Sequence, residues 1–65
     1  MDETTLRLFA RLAAIHKRVQ WMADAEAVSV WVNGPAAQGI YIAEKDHLID
    51  EAERILDLLE GKPAS

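Results

Sequence analysis

The stretch Ala27-Val28-Ser29-Val30-Trp31-Val32-Asn33 decides the predicted fold. It is dense in β-branched and aromatic residues, and valine fills alternate positions, which is the period of a half-buried β-strand. The segment 33–39 contains Gly34 and Gly39 and is typical of a turn, because glycine adopts positive φ without strain. Ile40-Tyr41-Ile42 then predicts a return strand. We therefore expect an antiparallel hairpin with strands at about 27–33 and about 39–43.

Both flanks of this predicted hairpin have a helical period. From Thr4 to Ala25 the chain contains no Gly or Pro, and apolar residues recur at steps of three and four. They are Leu8, Leu12, Ile15, Val19 and Met22. After the hairpin the apolar positions are Leu48, Ile49, Ala52, Ile55, Leu56 and Leu59, and Gly61 with Pro63 marks a stop. We expect helices over about 4–25 and about 46–60, followed by a frayed tail at 62–65.

These elements predict one small α+β domain over residues 1–65, in the order helix, two-stranded hairpin, helix. A chain of 65 residues buries a thin core, and the absence of cysteine rules out stabilisation by disulfides. We therefore expect dimerisation to complete the fold. The hydrophobic fraction of 51% argues against a disordered chain, and no apolar run reaches the ~18 residues of a membrane span.

The outer face of the hairpin is the first candidate interface. Alternation places Ser29 and Trp31 on the face opposite the valines, with Tyr41 beside them on the return strand. Trp and Tyr are frequent anchors of protein interfaces, so we expect a second copy of the chain or a target protein to cover them. Two alternatives stay open: a half-exposed cross-strand pair that only stabilises the hairpin, or a reversed hairpin with both rings inside.

The first helix supplies the second candidate interface. Leu6 and Phe9 lie opposite its apolar stripe, and a helix that is apolar on two sides has two neighbours. The second neighbour belongs either to another molecule or to the hairpin edge. Beside the stripe lies a basic flank of Arg7, Arg11 and Arg18, which also carries Ala14 and Trp21. The second helix carries an acidic flank of Asp50, Glu53, Asp57 and Glu60. The sequence leaves open whether these flanks meet within one chain or between two.

Catalytic chemistry is not predicted. His16 and His47 lie on different helices outside any metal-ligand motif, and the chain has no cysteine nucleophile. We therefore expect no enzyme activity, no metal and no cofactor. A further alternative is a ligand loop in which Asn33, Gly34 and Gln38 contact a small molecule across a subunit interface, although the glycines do not match a phosphate-binding fingerprint.

The charge pattern bears on partners and location. A net charge of -4 disfavours nucleic acid as a partner, because such binding depends on clustered Lys and Arg. We expect no membrane partner either. The acidic start Met1-Asp2-Glu3 lacks the basic and apolar regions of a signal peptide, which predicts a cytoplasmic protein, or one in the host cytoplasm if a phage encodes it.

A helix–hairpin–helix order in 65 residues resembles the small head–tail joining proteins of tailed phages, and the size resembles phage-encoded inhibitors of host defence or host enzymes. The joining proteins have a basic hairpin, whereas the predicted hairpin here is apolar on both faces, which argues against a virion role. We therefore expect a non-catalytic homodimeric regulator or inhibitor that occludes the surface of an unidentified protein. The alternatives are a structural subunit of a higher homo-oligomer, such as a virion joining protein, and a protein that sequesters a nucleotide-like ligand between subunits.

Overall fold

Two antiparallel helices of unequal length make up the chain in a computed structural model that describes residues 2–61. Helix α1 spans Glu3–Asn33, a short 3-10 turn follows at Pro35–Ala37, and helix α2 spans Ile42–Leu59. The predicted tail at 62–65 lies outside the described residues. The fold is therefore a helical hairpin.

The predicted β-hairpin is wrong. Within residues 2–61 no strand forms, and residues 27–33 are the last two turns of α1. A valine or tryptophan in a helix costs only a few tenths of a kcal/mol relative to a better helix former, and a lone two-stranded hairpin is marginal in water. Extending an existing helix is the cheaper choice for this segment, because the nucleus is already formed. The α+β class and the α-β-β-α outline are overturned, and with them the outline that resembled the phage joining proteins.

The helix boundaries move accordingly. Helix α1 runs eight residues beyond its predicted end, and α2 begins at Ile42 in place of about residue 46. At the start of α1 the Asp2 carboxylate accepts a hydrogen bond from the backbone N–H of Thr5 at 2.7 Å, which caps the helix and lowers the pKa of Asp2. At its end Gly34, with φ of 89°, donates its N–H to the carbonyl of Val30, and Pro35 prevents continuation.

The connection between the helices folds back along the end of α1. The 3-10 turn packs against α1, and Gly39, with φ of 77°, directs the chain into α2. A Cβ at Gly39 would lie 2.8 Å from Cδ1 of Ile42, the end of an exposed side chain that can move aside, so this position favours glycine through its backbone conformation. Because the connection occupies the last turns of α1, α2 pairs only with the earlier part of that helix.

A single stripe of side chains between the helices forms the core. Ile15 and Met22 of α1 and Leu48 and Ile55 of α2 are buried. Six partly buried residues pack against them: Leu8, Leu12, Val19, Tyr41, Ala52 and Leu59. Ile49 and Leu56, predicted on the same apolar face of α2, remain 43% and 45% exposed. The core is thus limited to one line of contact.

The molecule is a slab one helix thick. Its dimensions are 46 × 23 × 11 Å, and its radius of gyration is 15.0 Å. A compact domain of this length would have a radius of gyration of about 11 Å. Domains ordinarily bury their apolar surface between two packed layers of secondary structure, and this chain supplies one.

Candidate interaction surface

One broad face of the slab is closed by two ion pairs between the helices. Arg11 donates two hydrogen bonds to the carboxylate of Glu51, at 2.7 and 2.8 Å, and Arg18 donates two to Glu44, at 2.8 and 3.2 Å. The hydrogen bonds from arginine lower the pKa of both Glu51 and Glu44. Two bidentate pairs at different levels fix the register of α2 on α1.

The basic flank predicted on the first helix therefore finds its partners within the chain. Those partners are not the predicted acidic flank. Glu44 and Glu51 were not singled out from the sequence, whereas Asp50 pairs with Arg54 on its own helix. Arg7 likewise pairs within α1, with Glu3 at 2.7 Å. A pairing between helices could be predicted only once the connection between them was known, because that connection sets which residues are level.

An aromatic pair and a cation lie on the same broad face. The rings of Trp21 and Tyr41 meet edge to face, with centroids 5.7 Å apart and planes at 69°. The Arg18 guanidinium carbon lies 4.3 Å from the centroid of the Trp21 ring. The sequence predicted that Tyr41 pairs with Trp31, whereas in the structure the Tyr41 ring contacts Trp21. The sequence did place Trp21 on the same flank of the first helix as Arg18, three residues later, and the structure brings the two side chains together there.

The opposite broad face is an open apolar groove of about 310 Å³ between the two helices. Helix α1 lines it with Leu12, Ile15, His16 and Val19, and α2 lines it with Ile49, Ala52, Glu53 and Leu56. Ile42, Ile49 and Leu56 are spaced seven residues apart and are each at least 43% exposed. An apolar stripe of this period on a helix surface is typical of helix–helix packing. The sequence prediction missed this groove because it placed a hairpin over the helices.

The outer edge of α1, on the side away from α2, carries further exposed apolar residues. Leu6 is 54% exposed and Phe9 48%, and at the far end of the helix Trp31 is 88% exposed with Val28 and Val32 beside it. Leu6, Phe9 and Trp31 were all predicted interface residues. The structure leaves them uncovered, at two ends of one helix.

The remaining predicted site residues are dispersed. Ser29 is half-buried on α1, and Asn33 is the last residue of that helix. The backbone N–H of Gly34 is used within the chain, and Gln38 donates its own to the carbonyl of Pro35. The segment considered as an alternative ligand loop connects two helices instead of two strands. Among residues 2–61, no set of three His, Asp or Glu side chains could hold a metal ion, and neither described helix has the length and apolar character needed to cross a bilayer.

Comparison with known proteins gives no relative: no family model matches the chain, and no curated protein or solved structure shows significant similarity to it.

Proposed function

We propose that this protein is a non-catalytic binding module that works as a homodimer, in which a second copy packs over the apolar groove to form a four-helix bundle. The observation that carries the proposal is the slab itself, which is sealed by ion pairs on one broad face and is apolar and open on the other. In the dimer the sealed faces point outward, and the protein acts as a small regulator or inhibitor by covering a surface of another protein.

The need for a second layer supports self-association. Four buried side chains among residues 2–61 are a small core, and neither a disulfide nor any other cross-link through cysteine is available. A second hairpin laid on the groove would bury Ile49 and Leu56 together with the exposed parts of Leu12 and Val19. The two apolar stripes would then face each other across a shared core, as in other four-helix bundles.

The available area is sufficient for a stable dimer. A broad face of 46 × 23 Å offers roughly 1,000 Å² in projection, against about 800 Å² per partner in a standard specific interface. The groove also carries one base and one acid, His16 and Glu53. A two-fold axis parallel to the helices places each α1 over the partner's α2, so Glu53 of one copy faces the partner's α1 and the two Glu53 carboxylates are kept apart.

The test is the oligomeric state of matched variants on α2. Leu56 lines the groove and is 45% exposed, whereas Leu58, at 57%, does not line it. We expect the unaltered protein to sediment as a dimer, Leu56→Glu to sediment as a monomer, and Leu58→Glu to remain a dimer. Ile49→Glu repeats the test at a second groove position, and circular dichroism establishes that each variant is helical. A monomer at high concentration for the unaltered chain, or a dimer for Leu56→Glu and Ile49→Glu, would overturn the proposal.

A further inference from the structure

We infer that the outer edge of α1 is a second self-association site, where α1 of one copy pairs antiparallel with α1 of another in a single register. This contact lies away from the groove and is independent of the dimer proposed above. It involves a stripe that α2 does not touch. At one end of the stripe lie Leu6, Ala10 and Ala13, and at the other lie Asp24, Ala27 and Trp31.

The stripe has the period of a coiled-coil seam. With Lys17 and Gln20 at its centre, its residues follow one another at alternating steps of four and three, and every one of them is exposed. An average of 3.5 residues keeps a line of side chains on one side of a helix over its whole length. Alanines at Ala10, Ala13 and Ala27 allow two helix axes to approach closely, because the separation of packed helices depends on the side chains at the contact.

The apolar residues of the stripe match in the antiparallel direction. When two copies of α1 are laid head to tail with their centres aligned, Leu6 meets the partner's Trp31 and Ala10 meets the partner's Ala27. Two-fold symmetry repeats each contact at the other end. Trp31, which is 88% exposed in the single chain, is thereby covered in both copies of the pair.

Charge selects this direction over the parallel one. The partner's Asp24 lies opposite Ala13, one stripe position away from Lys17. Because helical side chains lean toward their own N-terminus, the side chains of Lys17 and the partner's Asp24 lean toward each other. A parallel pair would set Lys17 beside the partner's Lys17 and Asp24 beside the partner's Asp24. The same asymmetry holds along the helix: α1 has no Lys or Arg after Arg18, and its second half carries Asp24 and Glu26. Antiparallel pairing brings the basic half onto the acidic half.

The seam is small, so the contact is weak and reversible. Its length is about 38 Å and its width about one helix diameter, which gives roughly 400 Å² per copy. That is half of a standard interface. Association at this edge is therefore expected at high concentration, between copies that do not share a groove.

Engineered cysteines test the register directly, because the chain has none of its own. Ala10→Cys and Ala27→Cys are prepared separately, mixed in equal amounts in a glutathione redox buffer and analysed by mass spectrometry. We expect the mixed disulfide to exceed either homodimer by at least several-fold. Equal or faster cross-linking of Ala10→Cys with itself would indicate a parallel or random contact and would overturn the inference.

A second experiment exchanges the charges of Lys17 and Asp24. Lys17→Glu in both cysteine variants should slow formation of the mixed disulfide several-fold, and adding Asp24→Lys should restore the rate. The experiment is repeated with Leu56→Glu in both variants, which removes the proposed groove dimer. Cross-linking that persists there with the same preference separates the two sites, whereas its loss would show that the edge has no affinity of its own. Failure of charge restoration would count against the register.

Discussion

Arg18 links the two helices through one guanidinium group: it donates two hydrogen bonds to Glu44 of α2, while its Cζ lies 4.3 Å from the centroid of the Trp21 ring on α1. Trp21 in turn contacts Tyr41, the residue that precedes α2. Arg18 and Trp21 together therefore connect α1 to the start of the second helix. A guanidinium suits this position because it makes the bidentate contact and the contact with the ring at once.

Replacing Arg18 with lysine is expected to destabilise the fold although the charge is kept. An ammonium group can neither stack on Trp21 as a plane nor form two parallel hydrogen bonds with Glu44. Thermal unfolding should show a fall of a few degrees in Tm, with a loss of the near-ultraviolet circular dichroism of the aromatic pair. Arg7→Lys is the matched control, since Arg7 pairs only with Glu3 one turn away, and its Tm should be nearly unchanged. Equal effects of the two substitutions would refute the special role of Arg18.

Val28→Ala is expected to stabilise the protein. Val28 is 61% exposed on α1, where alanine is the better helix former by about 0.5 kcal/mol. In a β-strand the same change would weaken the structure, because alanine has low strand propensity. Urea unfolding at low protein concentration measures the sign, and Val30→Ala at a half-buried position of the same segment should destabilise instead. A destabilised Val28→Ala with a stabilised Val30→Ala would contradict the helical assignment.

Met22→Ala is expected to cost about 2–5 kcal/mol of unfolding free energy, because Met22 is fully buried and truncation leaves a cavity in the only core stripe of the described chain. That loss is comparable with the whole stability of a small domain, so the variant should be largely unfolded by circular dichroism. Met22→Leu keeps the volume and should lose less than about 1.5 kcal/mol. A well-folded Met22→Ala would show that the core stripe is not where stability resides.

Stability is expected to fall in acid. The pKa values of Glu44 and Glu51 are lowered in the folded chain by hydrogen bonds from Arg18 and Arg11. A lowered pKa contributes stability that is present above the ordinary value of 4.5 and is lost as the pH falls through the folded-state value. Because both pairs are exposed to solvent, added salt should reduce the effect. Comparing Tm at pH 6 and pH 3 for the unaltered chain and for Glu44→Gln/Glu51→Gln tests this, and the doubly substituted chain should show the smaller change.

The helical core and the turn with Gly34 and Gly39 at positive φ could be predicted from the sequence, but the helical state of the residues on either side of that turn could not. The spacing of Ile15 and Met22, and of Leu48 and Ile55, identified the buried stripe because burial imposes a helical period on each segment separately. The segment 27–33 was misassigned because strand-like residues in a short window compete with an adjoining helix that is already nucleated. Its alternation of valines is also compatible with a helix that exposes some of them and half-buries others.

The candidate surfaces could be predicted only in part, for the same reason. Leu6, Phe9 and Trp31 are exposed because of their positions on α1. For Leu6 and Phe9, the position opposite the apolar stripe could be inferred from the sequence. The groove and the pairs of Arg11 and Arg18 could not, because each depends on which residues of α2 lie level with α1. That alignment is set by the fold-back at Gly39, a three-dimensional feature that hydrophobic periodicity does not encode.

The slab geometry has a thermodynamic consequence for the proposed dimer. A single layer buries little apolar surface within one copy, so the helical monomer is expected to be less stable than the dimer, and the midpoint of chemical denaturation should rise with protein concentration. For a molecule 11 Å thick, the amount of protein present then sets how much denaturant the fold withstands.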